Sequence, residues 1–190
     1  MRILGVSGSL RRGSYNTRLL EAAAELLPEG VEFEVFDGLK AVPPYDQDDD
    51  VEPAPEPVAL LRSELAGADA VLFATPEYNS SIPGVLKNAI DWASRPLMTN
   101  ALRFKPVAVT GASTGAFGAV WAQEELRKVL GALGARVVEG SVPVGHAPTR
   151  FDEDGRLVDE EIRAQLADLV TAVLAAVEER SEAATAAPAA

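Results

Sequence analysis

The sequence predicts a three-layer, doubly wound α/β domain around a five-stranded parallel sheet of strand order 2-1-3-4-5. The length of 190 residues suits one domain with a single continuous core. Short runs rich in Val, Ile and Phe alternate with longer segments of helical period, which is the pattern of βαβ units. Three polar, glycine-containing loops follow the first, third and fourth of these runs, where parallel sheets bind their ligands.

The first two strand and helix pairs are predicted from their apolar patterns. Residues 2–6 (RILGV) form a short apolar run and are predicted to be the first strand, followed by a helix over residues 16–27. Residues 31–36 are predicted to be the second strand, and residues 58–66 the second helix.

The remaining elements repeat the alternation. Residues 70–74 (AVLFA) are predicted to be the third strand and residues 83–94 the third helix, because apolar residues recur there at helical spacing: Ile82, Val85, Leu86, Ala89, Ile90 and Ala93. Residues 106–110 and 136–138 are the predicted fourth and fifth strands, with a helix over residues 118–133 between them. A last helix is indicated by the same spacing in Ile162, Leu166, Leu169, Val170, Val173, Leu174 and Val177.

Two segments fall outside this alternation. Residues 37–57 contain five prolines and an acidic cluster, and we predict a surface loop. Asp46, Asp48 and Asp50 have the spacing of calcium ligands, but Val51 stands where a calcium loop needs glycine, and Pro57 where it needs glutamate, so no metal site is expected. Residues 1–180 are predicted to form the domain, and residues 181–190 (SEAATAAPAA) a disordered tail with little to bury.

Composition and charge exclude several classes of function. The formal net charge of −12 disfavours binding to nucleic acids and to anionic membranes. The chain has no cysteine, which excludes disulfides, thiolate metal sites and cysteine nucleophiles, so any redox chemistry requires a bound cofactor. The single His146 cannot form a multi-histidine metal site and is interpreted as a loop residue, with a catalytic base as the alternative. No apolar run is long enough for a membrane span or a signal peptide, so we expect a cytoplasmic protein.

The loop after the first strand, SGSLRRGSYN, has the composition of a phosphate-binding loop. Gly8 and Gly13 allow backbone N–H groups to approach an anion, and Arg11 or Arg12 can add a charge-assisted contact at the start of the following helix. Short polar side chains can donate further hydrogen bonds: Ser7, Ser9, Ser14 and Asn16. The loop matches neither an ATP-type P-loop nor the Gly-x-Gly-x-x-Gly pattern. The alternative is a plain turn with a helix cap.

The other two loops are suited to a flat heterocycle. In TPEYNSSIPG (residues 75–84), prolines fix the backbone so that its polar groups, with Tyr78 and Asn79, can face a planar ring, and Glu77 is interpreted as a rim or interface residue rather than a general base. In GASTGAFG (residues 111–118), three glycines leave room for a ring, and Ser113 and nearby amides can stabilise negative charge on it. A flexible strand-to-helix turn is the alternative for this loop. A phosphate at one end and a flat polar heterocycle at the other fit flavin mononucleotide (FMN).

These motifs resemble those of the NADPH-dependent FMN reductase family, which comprises flavodoxin-like oxidoreductases acting on quinones, azo dyes and chromate. The resemblance rests on GSLRRGSYN, PEYNSSIPGVLKNAIDW, GASTGAFG and AQEELRKVL, and it covers the chain from Met1 to about Gly140. Two positions differ from the family pattern. Phe104 stands where a glycine is expected, and Trp121 where a polar or basic residue is expected. Both positions bear on the acceptor pocket and on assembly.

The resemblance implies a flavodoxin-like fold and assigns roles to particular residues. It implies that the FMN phosphate is held by Ser9, Arg11, Ser14 and Asn16. It also implies that the ribityl chain and ring are lined by Pro76, Glu77, Tyr78 and Asn79, with the far edge of the ring on Gly111, Ser113 and Gly115. A homodimer or homotetramer is implied, with the helices after Pro83 and Gly118 near the subunit contacts. Trp121 is then an interface residue, and Trp92 either an interface or a core residue.

The implied reaction is hydride transfer from NADPH or NADH through bound FMN to a small-molecule acceptor, such as a quinone, a flavin, an azo compound or a metal oxyanion. No side chain need act as acid or base, because the flavin N5 atom carries the chemistry. Arg12 and Arg95 are the candidates for contacting the 2′-phosphate of NADPH. The alternatives are a flavodoxin-type electron carrier and a hydrolase with Ser9, Ser14 or Ser113 as nucleophile.

Overall fold

A parallel β-sheet of the predicted strand order 2-1-3-4-5 lies at the centre of the protein. The computed structural model describes residues 1–186. Its strands are β1 (Arg2–Ser7), β2 (Glu32–Val35), β3 (Ala70–Ala74), β4 (Pro106–Ala112), β5 (Arg136–Val137) and β6 (Pro143–Val144). This is the flavodoxin-like arrangement, and it confirms the predicted fold class. Because β1, β3 and β4 are adjacent, their carboxyl ends open onto one edge of the sheet.

The outer strand beside β4 is divided into two short pieces. The first two residues of β4 pair with β5, and Gly111 and Ala112 near its end pair with β6. Between the two pieces Gly140 has a φ of 95°, a conformation that favours glycine, while the Thr110 hydroxyl donates to the carbonyl of Val142 at 2.8 Å. The sequence predicts only the first piece, at residues 136–138, because a two-residue strand such as β6 is too short to show a period.

Helices cover both faces of the sheet and complete the three predicted layers. Their bounds are α1 (Tyr15–Ala24), α2 (Glu56–Gly67), α3 (Gly84–Ala93), α4 (Val120–Ala132) and α5 (Glu160–Ala186). Buried side chains of α2, α3 and α4 pack against one face, and those of α1 and α5 against the other. Successive strand residues alternate between these two cores. In β3, Val71 and Phe73 join the first core, and Ala70, Leu72 and Ala74 the second.

The acidic segment, residues 37–57, is predicted to be a surface loop, but part of it packs into the core. It contains the short 3₁₀ helices Gly38–Ala41 and Gln47–Asp49, and its Leu39 and Val42 are buried. The indole of Trp92 is fully buried and donates to the carbonyl of Pro43 at 2.8 Å. Trp92 is therefore a core residue. Apolar contacts of Leu39 and Val42 hold the segment against α2 and α3. The proline-rich, acidic composition of the segment gives no sign of these contacts.

Helix α5 extends through residues 181–186, where the sequence predicts a disordered tail. The reason is composition: Ala183, Ala184 and Ala186 are the best helix formers, and they continue an existing helix without needing to bury surface. The last four residues of the predicted tail, 187–190, lie outside the described residues. Within residues 1–186, no helix is long and apolar enough to cross a membrane. The cytoplasmic location stays a prediction.

A buried lysine at the end of the sheet away from the loops should make stability depend on pH. Lys105 is 5 % exposed, and its Nζ donates to the carbonyls of Ala66 and Ala68. Burial, with a smaller contribution from Arg180, lowers the pKa of Lys105 to about 8. The unfolded chain therefore binds more protons than the folded chain between pH 8 and the ordinary lysine pKa of 10.5.

We expect the free energy of unfolding of the wild type, relative to Lys105→Met, to rise by about 2 to 3 kcal/mol between pH 7 and pH 10. Urea denaturation of both proteins at the two pH values measures this difference. All other titrating groups are common to both proteins, so their contributions cancel in the difference. A difference that does not change with pH would contradict the lowered pKa of Lys105.

Candidate active site

The three polar loops meet in one groove at the carboxyl edge of the sheet. The groove has a volume of about 220 Å³, is open to solvent on one side, and is lined by Ser9, Arg11, Ser14, Tyr15, Asn16, Pro76, Glu77, Tyr78, Ala112, Ser113 and Thr114. Eight of the eleven residues to which the sequence assigns a binding role lie in this lining. The other three, Asn79, Gly111 and Gly115, do not. Tyr15, Ala112 and Thr114 are lining residues that the sequence reasoning missed.

The first wall is the positive end of helix α1. Ser14 is the N-cap of this helix, and its Oγ accepts hydrogen bonds from the backbone N–H groups of Asn16 at 3.2 Å and Thr17 at 3.4 Å. No acidic residue occupies the first turn of α1. The helix therefore presents an uncompensated positive end to the groove, and the Ser14 hydroxyl proton is free to be donated to an anion.

Arg11 lies beside this wall, held by neighbours in its own loop. Its guanidinium donates to the carbonyl of Gly13 at 3.0 Å and lies 5.3 Å from the centre of the Tyr15 ring. Arg18 lies 5.6 Å from the same ring on α1. Arg11 therefore brings a positive charge to this end of the groove in a chain of net charge −12. Tyr15 could not be predicted as a lining residue, because a tyrosine at the start of a helix has no sequence pattern that marks it as part of a site.

Asn16 joins the first wall to the third. Its amide Nδ2 donates to the carbonyl of Ala112 at 3.0 Å, and its Oδ1 accepts from the N–H of Ala112 at 2.9 Å. The side chain is 3 % exposed. In the structure this amide fixes the start of α1 against the end of β4. The role of Asn16 as a phosphate ligand, which the family resemblance implies, stays a prediction.

The second wall is a tight hairpin turn after β3. Tyr78 and Ser81 exchange backbone hydrogen bonds of 3.0 and 3.2 Å around Asn79 and Ser80, whose φ angles are 54° and 60°. Asn tolerates this left-handed conformation better than most residues, which accounts for its place in the motif. The turn leaves Tyr78 52 % exposed at the groove, whereas Asn79 is exposed and is not part of the lining.

Glu77 lines the groove and also contacts another helix. Its Oε2 accepts the backbone N–H groups of Trp121 at 3.1 Å and Ala122 at 3.2 Å, in the first turn of α4. The sequence indicates a rim or interface residue here. Glu77 and Trp121 are 44 residues apart in the chain, so no local sequence pattern indicates that one caps the helix of the other. Only the structure shows this contact.

The third wall is held by β6 and by the segment that follows it. Ser113 donates its N–H to Val144 and accepts at its carbonyl from Ala147, both at 3.0 Å. Its Oγ accepts from the N–H of Gly115 at 3.1 Å. Gly111 is buried one step behind this wall, where an added Cβ would lie 2.6 Å from the carbonyl oxygen of Thr75. The wall is therefore a fixed turn rather than a flexible one.

His146, the alternative catalytic base, is not part of the groove lining. His146 is exposed, with its backbone N–H on the carbonyl of Gly115 at 2.9 Å, and within residues 1–186 no hydrogen bond joins its ring to Ser9, Ser14 or Ser113. Over the same residues no group of His, Asp or Glu has the arrangement of a metal site. The hydrolase alternative therefore gains no support.

The two departures from the family pattern lie at opposite ends of the sheet. Trp121 is 45 % exposed at the start of α4, with its ring centre 5.0 Å from that of Phe117 in the third loop. Phe104 lies just before β4, at the other end of the sheet, and its N–H donates to Gly134. It has a φ of 58°, the conformation that explains why glycine is expected there. Phe104 therefore does not line the groove of its own chain.

Comparison with known proteins gives one consistent result. The sequence model of the NADPH-dependent FMN reductase family matches residues 1–149. An NAD(P)H-dependent FMN reductase of Pseudomonas aeruginosa is 44 % identical over 164 residues, which is 86 % of this chain and 88 % of that protein. A 2-hydroxy-1,4-benzoquinone reductase of a Burkholderia species is 39 % identical over 95 % of this chain and 98 % of its own length. Among solved structures, the flavoenzyme NAD(P)H:(acceptor) oxidoreductase FerB from Paracoccus denitrificans has a TM-score of 0.82 and 35 % identity, and the match covers 94 % of this chain and 97 % of FerB.

Proposed function

The chain belongs to the NADPH-dependent FMN reductase family, and from this premise we propose that the groove between its three loops holds the FMN with which it oxidises NAD(P)H. The phosphate is assigned to the end formed by Ser9, Arg11 and Ser14. The ring is assigned to the space between Tyr78 on the second wall and Ser113 on the third. The observation that carries the proposal is the meeting of all three loops in one groove.

The residues present fit this cofactor. The α1 end of the groove offers the Ser14 hydroxyl, the Arg11 guanidinium and a helix terminus without a carboxylate of its own, which suits a dianion. The other end offers an exposed aromatic ring facing a turn with backbone amides, which suits a flat heterocycle with polar edges. The volume of about 220 Å³ is below the roughly 300–1,000 Å³ of typical ligand pockets, as expected for a groove open on one side.

FMN held in the groove by Ser9, Arg11 and Ser14 at one end and Tyr78 and Ser113 at the other would supply the hydride chemistry that links NAD(P)H to an acceptor. The protein's own contribution is binding and orientation. Asn16 and Ala112 fix the phosphate wall relative to the ring wall. The backbone around Ser113 is immobilised by Val144 and Ala147, so its dipoles can stabilise charge without reorganising. No acid or base side chain is required.

We assign a quinone as the acceptor class. The relatives support this assignment, since one is named a 2-hydroxy-1,4-benzoquinone reductase and others from Pseudomonas putida and Escherichia coli are named quinone reductases. The open side of the groove suits an enzyme in which NAD(P)H and a planar acceptor bind in turn at the same face. The proteins named here are reductases, and nothing favours the electron-carrier alternative.

The visible absorption spectrum tests this function. Protein reconstituted with FMN should bleach rapidly on anaerobic mixing with NADPH or NADH, and addition of a benzoquinone should restore the oxidised spectrum. Bleaching without reoxidation by the quinone would exclude a quinone as acceptor while keeping the reductase. Failure to bleach with either nucleotide would contradict the reductase function itself.

Arg12 is the better of the two candidates for the 2′-phosphate of NADPH. It follows Arg11, which lines the first wall, and it is exposed. Arg95 follows α3, whose ten residues lead about 15 Å away from the groove to the other end of the sheet. We expect Arg12→Gln to raise the KM for NADPH about tenfold, with a change of less than about twofold for NADH. Arg95→Gln is the matched control and should change neither value. Equal effects of Arg12→Gln on both nucleotides would contradict the assignment.

A homodimer or homotetramer is proposed with the start of α4 in the contact. The exposed pair Phe117 and Trp121 supports this, because two neighbouring aromatic rings are 65 % and 45 % exposed there. Light scattering coupled to size-exclusion chromatography should give two or four times the chain mass of 20.0 kDa. A Trp121→Lys variant should shift this mass toward the monomer.

A further inference from the structure

Helix α4 begins without a capping residue of its own. Its N-cap is Ala119, which has a left-handed backbone and no side chain able to accept a hydrogen bond. The N–H of Val120 finds the carbonyl of Phe117 at 3.2 Å, but the next two N–H groups have no partner within the helix. Those two groups belong to Trp121 and Ala122, and the carboxylate of Glu77 accepts both.

This cap comes from a different wall of the groove, 44 residues earlier in the chain. Glu77 lies between Pro76 and Tyr78 in the second wall. The loop that carries Ser113 and Thr114 continues through Gly118 to the start of α4 at Val120, so the first turn of this helix follows the third wall in the chain. A charge-assisted pair of hydrogen bonds at a helix terminus is stronger than neutral ones. Glu77 therefore ties the second wall to the third.

We infer that Glu77 is a positioning residue, which sets the spacing of the two walls between which the flavin ring binds by capping helix α4. This inference rests on the proposed function. It also explains how a carboxylate can line a groove for an anionic cofactor, because the positive end of α4 compensates its charge. The phosphate wall is held separately, through Asn16 and Ala112. Loss of Glu77 should therefore affect the ring end alone.

Glu77→Ala and Glu77→Gln test the inference, with Asp159→Ala as the matched control. Asp159 caps α5 in the same way, accepting the N–H of Ile162 at 3.0 Å while paired with Arg150, and these contacts lower its pKa. It is not part of the groove lining. Glutamine keeps an oxygen that can accept the two N–H groups, so it should restore much of what alanine removes.

Two measurements are needed. Hydrogen exchange of the apo-protein should show the Trp121 and Ala122 amides exchanging at least about tenfold faster in Glu77→Ala than in the wild type. Fluorescence titration should show Glu77→Ala binding FMN and riboflavin about tenfold or more weakly, both by a similar factor, with Glu77→Gln within about threefold of the wild type. Asp159→Ala should leave both affinities unchanged.

Several outcomes would overturn the inference. If the Trp121 and Ala122 amides exchange at the same rate in Glu77→Ala as in the wild type, Glu77 does not cap α4. Faster exchange with unchanged flavin affinity would leave the FMN reductase function intact but show that the cap does not set the ring site. An equal loss of affinity in Asp159→Ala would show a general effect of stability. A wild-type protein that binds neither flavin contradicts the proposed function, and the exchange measurement would then still report on the cap.

Discussion

Replacing Ser14 by aspartate is expected to weaken FMN binding about 100-fold, or about 2.7 kcal/mol, without a loss of protein stability. Aspartate is as good an N-cap as serine, so the N–H groups of Asn16 and Thr17 keep their acceptor. The new carboxylate, however, would stand where the phosphate is assigned, and the repulsion of two anions at close range in a partly buried groove is large. The variant therefore distinguishes the two roles of Ser14, as the N-cap of α1 and as a ligand of the phosphate.

Fluorescence titration with two ligands measures this effect. Riboflavin lacks the phosphate, so its affinity should change less than about threefold in Ser14→Asp. Ser14→Ala is the matched control: it removes the cap and should cost about 1 kcal/mol of stability, while FMN affinity falls far less than with aspartate. If Ser14→Asp binds FMN like the wild type, the phosphate lies elsewhere. If it weakens riboflavin equally, the change has disturbed the whole groove.

The fold could be predicted because each of its signals is local. Strand β3 is five consecutive apolar residues, and α3 repeats its apolar residues at a helical period. The order of the strands then follows from the few ways in which such units can pack. The prediction was incomplete where an element is too short to show a period, and where a few buried residues lie in a segment of mainly polar composition. Strand β6 has only two residues, and the acidic segment hides the buried Leu39 and Val42 among prolines.

The site could be predicted as a set of loops but not as a set of contacts. The sequence shows that Asn16 and Glu77 are polar residues in two glycine- and proline-containing motifs. It does not show that Asn16 bonds to Ala112, 96 residues away, or that Glu77 caps a helix that begins at Val120. Composition indicates what a side chain can donate or accept, whereas its partner depends on packing between elements distant in sequence. Both residues line the groove and also make contacts between its walls, while their roles as cofactor ligands stay predictions.

The glycines of the third loop show the same limit and give the second large prediction. The family resemblance assigns the ring edge to Gly111 and Gly115 alike. In the structure an added Cβ at Gly111 would lie 2.6 Å from the Thr75 carbonyl and 3.0 Å from the Gln123 amide nitrogen. The same atom at Gly115 would meet only the Ser113 hydroxyl, at an ordinary 3.5 Å. Gly111 is therefore required by packing between β3, β4 and α4, and Gly115 is not.

Gly111→Ala should consequently destabilise the apo-protein by about 2 kcal/mol, because backbone and a buried amide must move to admit one methyl group. Gly115→Ala, its control within the same motif, should change stability by less than about 0.5 kcal/mol. Its methyl group would stand at the exposed rim where the ring edge is assigned, so it should instead weaken flavin binding. Urea denaturation without cofactor and fluorescence titration with FMN measure the two effects separately. Equal destabilisation by both variants would contradict this division, since the two glycines would then share one structural role and the third wall would be built differently from the turn that Ser113, Val144 and Ala147 hold in place.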